Sequence, residues 1–242
     1  MNESREQRSM LRQLALVYAP ITILFALVIL LVLWFGGQQQ TKAKMEEVSK
    51  EVNSDESTTP AFTIIAFGDS ITAGYGLDIK ESYPSQLAQL LEKKGIKVNM
   101  VNAGVSGETT AGGLRRASFV AEQKPDLVIL ALGGNDMLRG IDPKATRENL
   151  EGILKVFRQK NIPVILAGMQ APINLGLSYR KQYNAIYPEL AEAYDLPLVP
   201  FLLEDVALIP SLNQDDGIHP NKEGARIIAE KNVLPVVLDV LK

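Results

Sequence analysis

From Ala61 onward, short apolar runs alternate with amphipathic stretches of helical period, and this alternation constrains the fold more than any other feature. The sharpest run is Asp126–Leu132, continuous in Leu, Val and Ile, which suits a strand buried on both faces. Further strands are predicted over Phe62–Phe67, Lys97–Asn102, Pro163–Ala167 and Leu196–Val199. Helices are predicted over Pro84–Lys94, Gly113–Glu122, Thr146–Lys160, Ser178–Tyr194 and Asn221–Leu234. Pro84 suits a first helical turn, Gly95 a C-terminal stop, and Pro235 stands near the end of the last helix. Strand-helix alternation implies a parallel five-stranded sheet with right-handed crossovers and helices on both faces. Ligands of such sheets bind beyond the carboxyl ends of the strands. Four loops lie there: Gly68–Gly76, Ala103–Thr110, Gly133–Arg139 and Met169–Leu177.

The part before Ala61 is of another kind. Leu14–Phe35 is uncharged and mostly apolar. At about 1.5 Å per residue a helix of that length crosses a hydrocarbon core of roughly 30 Å. Arg5, Arg8 and Arg12 precede it; Lys42 and Lys44 follow. The near flanks place the N-terminus inside. Thr41-Lys42-Ala43 is a poor cleavage site. The expectation is a short cytoplasmic segment (1–13), an uncleaved single-pass signal anchor (14–35), a polar tether (36–60) and an extracytoplasmic domain (61–242). A cleaved signal peptide and a secreted product are the alternative.

Composition removes several functions. The 242 residues carry a net charge of -3, so no basic stripe invites nucleic acid. There is no cysteine, which excludes disulfides, a thiolate nucleophile and thiolate zinc sites. His219 is the one histidine, so an imidazole-rich metal site is excluded too. If the chain activates a serine hydroxyl with an imidazole, only His219 can do it.

Four loop segments carry chemistry. Ser70, in Gly68-Asp69-Ser70, follows the first strand directly; the plainer reading is that Asp69 or Ser70 caps a helix. Asp216 and His219 are three apart, a spacing at which a carboxylate in a tight turn can bond Nδ1 of the imidazole. Asp215, four apart, is the competitor, and an Asp-Gly turn before a His-Pro helix entry is the plainer reading. Acyl transfer also needs donors for a tetrahedral oxyanion. A backbone N–H at Gly104 and the amide of Asn135, in Gly133-Gly134-Asn135-Asp136, stand at the ends of the second and third strands. Ile173, Leu175 and Leu177 offer apolar side chains for an acyl chain, or belong to a partly packed surface loop.

Taken in chain order, these blocks resemble those of the SGNH (GDSL) hydrolase family. Gly68-Asp69-Ser70 resembles the first block, Gly104 the second, Gly133–Asp136 the third and Asp216–His219 the last. Tyr183–Pro188 and Gln214–Asn221 are similar to the thioesterase, lysophospholipase and arylesterase branch of the family. The resemblance implies a three-layer flavodoxin-like fold and cofactor-free hydrolysis of esters or thioesters, with a small acyl ester or lipid as substrate. It implies Ser70 as nucleophile, His219 as base, Asp216 as its orienter, and Ser70, Gly104 and Asn135 as the oxyanion hole. Relatives of this branch are usually exported and released, whereas this chain is expected to keep a bacterial membrane anchor. Carbohydrate or cell-wall O-acetyl ester hydrolysis, and an inactive domain that binds a lipid or partner, are the rival readings. Gly-x-Ser-x-Gly does not occur around Ser70, which argues against an α/β-hydrolase.

Overall fold

A computed structural model of the chain describes residues 62–242. The expected N-terminal segment, membrane anchor and tether lie outside the described residues. Among the described residues, no helix is long and apolar enough to cross a membrane.

Five parallel strands form one sheet in the order β2-β1-β3-β4-β5. They are β1 (Phe62–Gly68), β2 (Val98–Gly104), β3 (Leu127–Ala131), β4 (Val164–Ala167) and β5 (Leu198–Val199). The expected parallel sheet is therefore present. Ile64, Ile65, Phe67 and Leu127–Leu130 are fully buried, as the unbroken apolar runs require. Each large side chain buried this way contributes about 1.5–3 kcal/mol relative to exposure.

Eight α-helices follow among the described residues: α1 (Ser70–Ala73), α2 (Tyr83–Lys93), α3 (Thr110–Glu122), α4 (Gly134–Leu138), α5 (Pro143–Gln159), α6 (Leu177–Tyr194), α7 (Lys222–Ile227) and α8 (Leu234–Val240). One helical layer packs α3 on α5 and α5 on α6; the other packs α2 against the C-terminal helical segment. The sheet is thus sandwiched between two helical layers.

Three expectations change. The second helix begins at Thr110 rather than Gly113: Thr109 caps it, and the Thr110 N–H donates to the buried Asp136 carboxylate at 2.8 Å. Those bonds offset the poor helix propensity of Gly112 and Gly113. The last helix does not stop at Pro235. A π-helical turn over Ile228–Val233 intervenes, and Pro235 stands in the first turn of α8, where its missing N–H costs least. The loop Gly133–Arg139, for which no helix is predicted, contains the short helix α4, whereas α1 is the helix expected to start at Ser70.

The strand order reverses between β1 and β3, since β1 connects outward to β2 while later strands add on the other side. A crevice opens at that reversal. α1 leaves the end of β1 on one side of it, and α4 follows β3 on the other.

Candidate active site

The first element of the site is the turn from β1 into α1. The Asp69 side chain caps α1 by accepting from the Ile71 N–H at 3.1 Å. Ser70 is the first residue of α1, where no carbonyl lies one turn behind to take its N–H. The carboxyl of Asp69 is 2 % exposed, and burial pushes it up to about 6 against the hydrogen bonds from Ile71 and Asn135.

The second element is the loop that enters α7. Gly217 adopts φ +67, tightening the chain between Asp216 and His219. Asp216 Oδ1 accepts the N–H groups of Ile218 and His219, both at 2.9 Å. Its Oδ2 lies 2.6 Å from His219 Nδ1. Hydrogen bonds from the His219 backbone and ring, then from the Ile218 backbone, hold the Asp216 carboxyl down at about 2. Asp215 makes none of these contacts. His219 Nε2 lies 2.8 Å from Ser70 Oγ. A carboxylate, an imidazole and a hydroxyl are therefore joined in series. Such a chain can withdraw a proton from the hydroxyl and stabilise the imidazolium that results.

Two contacts fix the loop on the first turn. Gln214 Nε2 donates to the Tyr75 carbonyl at 2.7 Å and to the Pro220 carbonyl at 3.0 Å. The Tyr75 ring lies 4.7 Å, centroid to centroid, from the imidazole. Gln214 opens the Gln214–Asn221 segment singled out in the sequence, though without this role; Tyr75 was not singled out, and the proximity of Gly74-Tyr75-Gly76 to Ser70 was the available signal.

The donors expected for an oxyanion differ in state. Asn135 Nδ2 donates to Asp69 Oδ2 across a long 3.4 Å, and an amide carries a second N–H. The Gly104 N–H is engaged: it donates to Asn102 Oδ1 at 3.0 Å, while Asn102 Nδ2 ties Thr72 O to the same strand end. Gly104 also has a steric role, since a Cβ there would lie 2.2 Å from Ala73 N and 2.8 Å from Asp69 O.

Under Asn135, Gly133 takes φ +120, a conformation that side chains resist. The hydroxyls of Tyr183 and Tyr187 donate to the carbonyls of Gly133 (2.6 Å) and Leu132 (2.9 Å), clamping the turn from below. That is the structural content of the Tyr183–Pro188 segment.

Beside the serine runs an apolar groove of about 380 Å³. Ile71 and Gly134, the immediate neighbours of Ser70 and Asn135, line it, with Met137, Leu138, Met169, Phe201, Leu203, Leu208 and Ile218. The structure does not bring Ile173, Leu175 and Leu177 into it. They sit on a single 3-10 turn and the start of α6, 68 %, 38 % and 73 % exposed. Pro172 and Ala171, just before that turn, are the lining residues instead. The segment Phe201–Leu208 supplies the groove wall that the sequence reading missed. Among the described residues, no cluster of His, Asp and Glu could hold a metal ion.

The profile of the GDSL-like lipase/acylhydrolase family matches residues 66–227, two thirds of the chain. The chain belongs to this family. It is an ester or thioester hydrolase. It is 40 % identical over 181 residues to the Escherichia coli K12 protein named thioesterase 1/protease 1/lysophospholipase L1, covering 73 % of this chain and 86 % of that one. An arylesterase of Vibrio mimicus is 39 % identical over 168 residues, 69 % of this chain and 84 % of its own. The crystal structure of AlinE4, an SGNH-hydrolase family esterase, is 48 % identical and superposes with a TM-score of 0.64, covering 77 % of this chain and all of that one.

Proposed function

We propose that this GDSL-like hydrolase cleaves acyl esters, thioesters and lysophospholipids through a Ser70–His219–Asp216 triad, beside the membrane that its N-terminal helix spans. The observation that carries the reading is the hydrogen-bonded series Asp216–His219–Ser70, at 2.6 and 2.8 Å, opening on an apolar groove.

Ser70 Oγ attacks the acyl carbon while His219 Nε2 takes its proton. Asp216 holds Nδ1 and stabilises the imidazolium. The carbonyl oxygen, now an oxyanion, accepts the Ser70 N–H and the second N–H of the Asn135 amide. The Gly104 N–H joins them when the Asn102 side chain releases it. His219 returns the proton to the departing alcohol or thiol, leaving an acyl-Ser70 ester. Water attacks that ester, giving its proton to His219, and the acid departs as Ser70 recovers its hydrogen. No step requires a cofactor.

The apolar groove favours a lipid-like acyl ester over an acetylated sugar, for which stacking aromatics would be expected. The uncharged run Leu14–Phe35 supports an anchored, extracytoplasmic enzyme, since tethering raises the local concentration of membrane substrates. Retention of the full-length chain in the membrane fraction after a high-salt, alkaline wash tests the anchor, and release of the domain in a shortened form refutes it.

The activity test is the initial rate on matched aryl esters from acetyl to palmitoyl, with Ser70→Ala as control. Serine-dependent rates that peak at medium or long chains are expected. Rates confined to acetyl would favour carbohydrate deacetylation, and the absence of any serine-dependent rate would leave a binding domain.

A further inference from the structure

Arg180, in the first turn of α6, lines the same groove as the neighbours of Ser70 and Asn135. Its Nε is buried and makes no hydrogen bond, and the side chain forms no ion pair among the described residues. Arg115, likewise without a hydrogen bond or ion pair, is exposed to solvent, and the other described arginines are occupied, Arg158 over the Tyr194 ring. Arg116 bonds Glu108 and the Gly68 carbonyl, Arg139 the Gly107 carbonyl, Arg147 Glu189, and Arg226 Glu223 and Glu230. A half-buried guanidinium without a carboxylate, in a groove walled by Met137, Leu138, Met169 and Phe201, bears the cost of desolvation without compensation. That cost is recovered when an oxyanion arrives. Nε is sealed from the groove, so the donors a ligand can reach are the two Nη–H groups at the end of the planar guanidinium, which lie side by side and match two oxygens of a carboxylate or phosphate.

We infer that Arg180 is a specificity-determining residue that receives an anionic group belonging to the ester substrate itself. This deepens the hydrolase reading and rests on it. The groove dictates an amphiphile: an apolar body along Phe201 and Leu203, an ester carbonyl at Ser70 and one oxyanion at Arg180. The oxyanion is a carboxylate on the acyl part or a phosphate on the alcohol part. Both present the same chemistry to the guanidinium.

Matched substrate pairs separate the two sources. On the acyl side, 4-nitrophenyl pentanoate is compared with the mono-4-nitrophenyl ester of glutaric acid. On the alcohol side, a monoacylglycerol is compared with the lysophosphatidate of the same chain. In the full-length chain, Arg180→Gln is expected to lower kcat/KM on the anionic member of at least one pair about tenfold or more. The neutral members are expected to change less than about threefold, and Arg180→Lys to fall between. The pair that responds identifies the source. A binding readout stands apart from turnover: octyl phosphate titrated into Ser70→Ala, against the same protein also carrying Arg180→Gln, with octan-1-ol as the neutral probe. The expected result is an octyl phosphate Kd raised about tenfold and an unchanged octanol Kd. Equal octyl phosphate affinity in the two proteins, or parallel loss on the neutral and anionic members of both pairs, overturns the inference. A neutral-ester rate that survives Ser70→Ala would instead overturn Ser70 as the nucleophile, and the binding result would still decide the role of Arg180.

Discussion

Replacing Gly104 by alanine tests whether the end of β2 sets the position of the serine. A Cβ at Gly104 would lie 2.2 Å from Ala73 N, 2.6 Å from Ala73 Cα and 2.8 Å from Asp69 O, whereas ordinary contact begins near 3.4 Å. All three atoms are backbone, so no side chain can swing away. Relief requires α1 to retreat by about 1 Å, the difference between 2.2 and 3.4 Å. α1 is four residues long and Ser70 is its first, so the hydroxyl moves with it. A shift of that size along the Ser70–His219 line stretches 2.8 Å beyond hydrogen-bond range. Misplacement by about 1 Å can cost a hundredfold in rate. Overpacking of this kind also costs about 1–3 kcal/mol of stability, or several degrees in Tm for a domain of this size. The assay is kcat on a short aryl ester together with thermal unfolding. Gly95→Ala is the control. Gly95 has φ +81 with nothing within 4 Å, so alanine there strains the backbone without touching the site. Gly104→Ala is expected to lose activity about a hundredfold, and Gly95→Ala to lose only stability. A Gly104→Ala protein within twofold of the parent in kcat refutes the argument.

Two further perturbations bear on charge. Asp216→Asn keeps the shape of the turn but removes the acceptor for the imidazolium, and is expected to reduce kcat roughly ten-thousandfold; because the Asp216 carboxyl is held at about 2, it should itself contribute no loss of activity between pH 4 and 8, and a parent profile with a carboxylate-like midpoint traceable to Asp216 would contradict this. Asp69 runs the other way: its folded-state value, about 6, exceeds the ordinary 3.8, so the stability it confers is fully present below about pH 4 and is lost as pH rises through 6, by at most about 3 kcal/mol. Asp69→Asn stays neutral throughout, so urea unfolding should show the variant gaining on the parent between pH 4 and 7, and a difference independent of pH would sink the explanation.

The sheet was legible because Leu127–Leu132 has no polar interruption and Phe62–Phe67 is interrupted only by Thr63 near its start, a pattern that suits strands covered on both faces. The start of α3 was not, because Gly112 and Gly113 are poor helix formers and the compensating partner of Thr110, Asp136, comes from 26 residues away. The Asp216–His219 spacing was readable, yet the preference over Asp215 depended on the turn at Gly217, which periodicity does not reveal. The groove was the least legible part. Ile173, Leu175 and Leu177 have the right chemistry in the right loop, but they sit exposed on a 3-10 turn and at the start of α6. Phe201–Leu208 looks like an ordinary descent from the last strand until the loop bearing His219 is laid beside it. Arg180, inside an amphipathic helix, carried no signal at all, since its meaning lies in the partner that its surroundings fail to provide.

The imidazole and the hydroxyl stand 149 positions apart along the chain. While the protein is being synthesised, the serine emerges with most of the sheet still to come, and its base arrives among the last residues made. On the proposed triad, every shorter intermediate holds the nucleophile without its base. Chains truncated before His219 are therefore expected to show no serine-dependent hydrolysis, and activity is expected to appear only once the final helices close over the sheet.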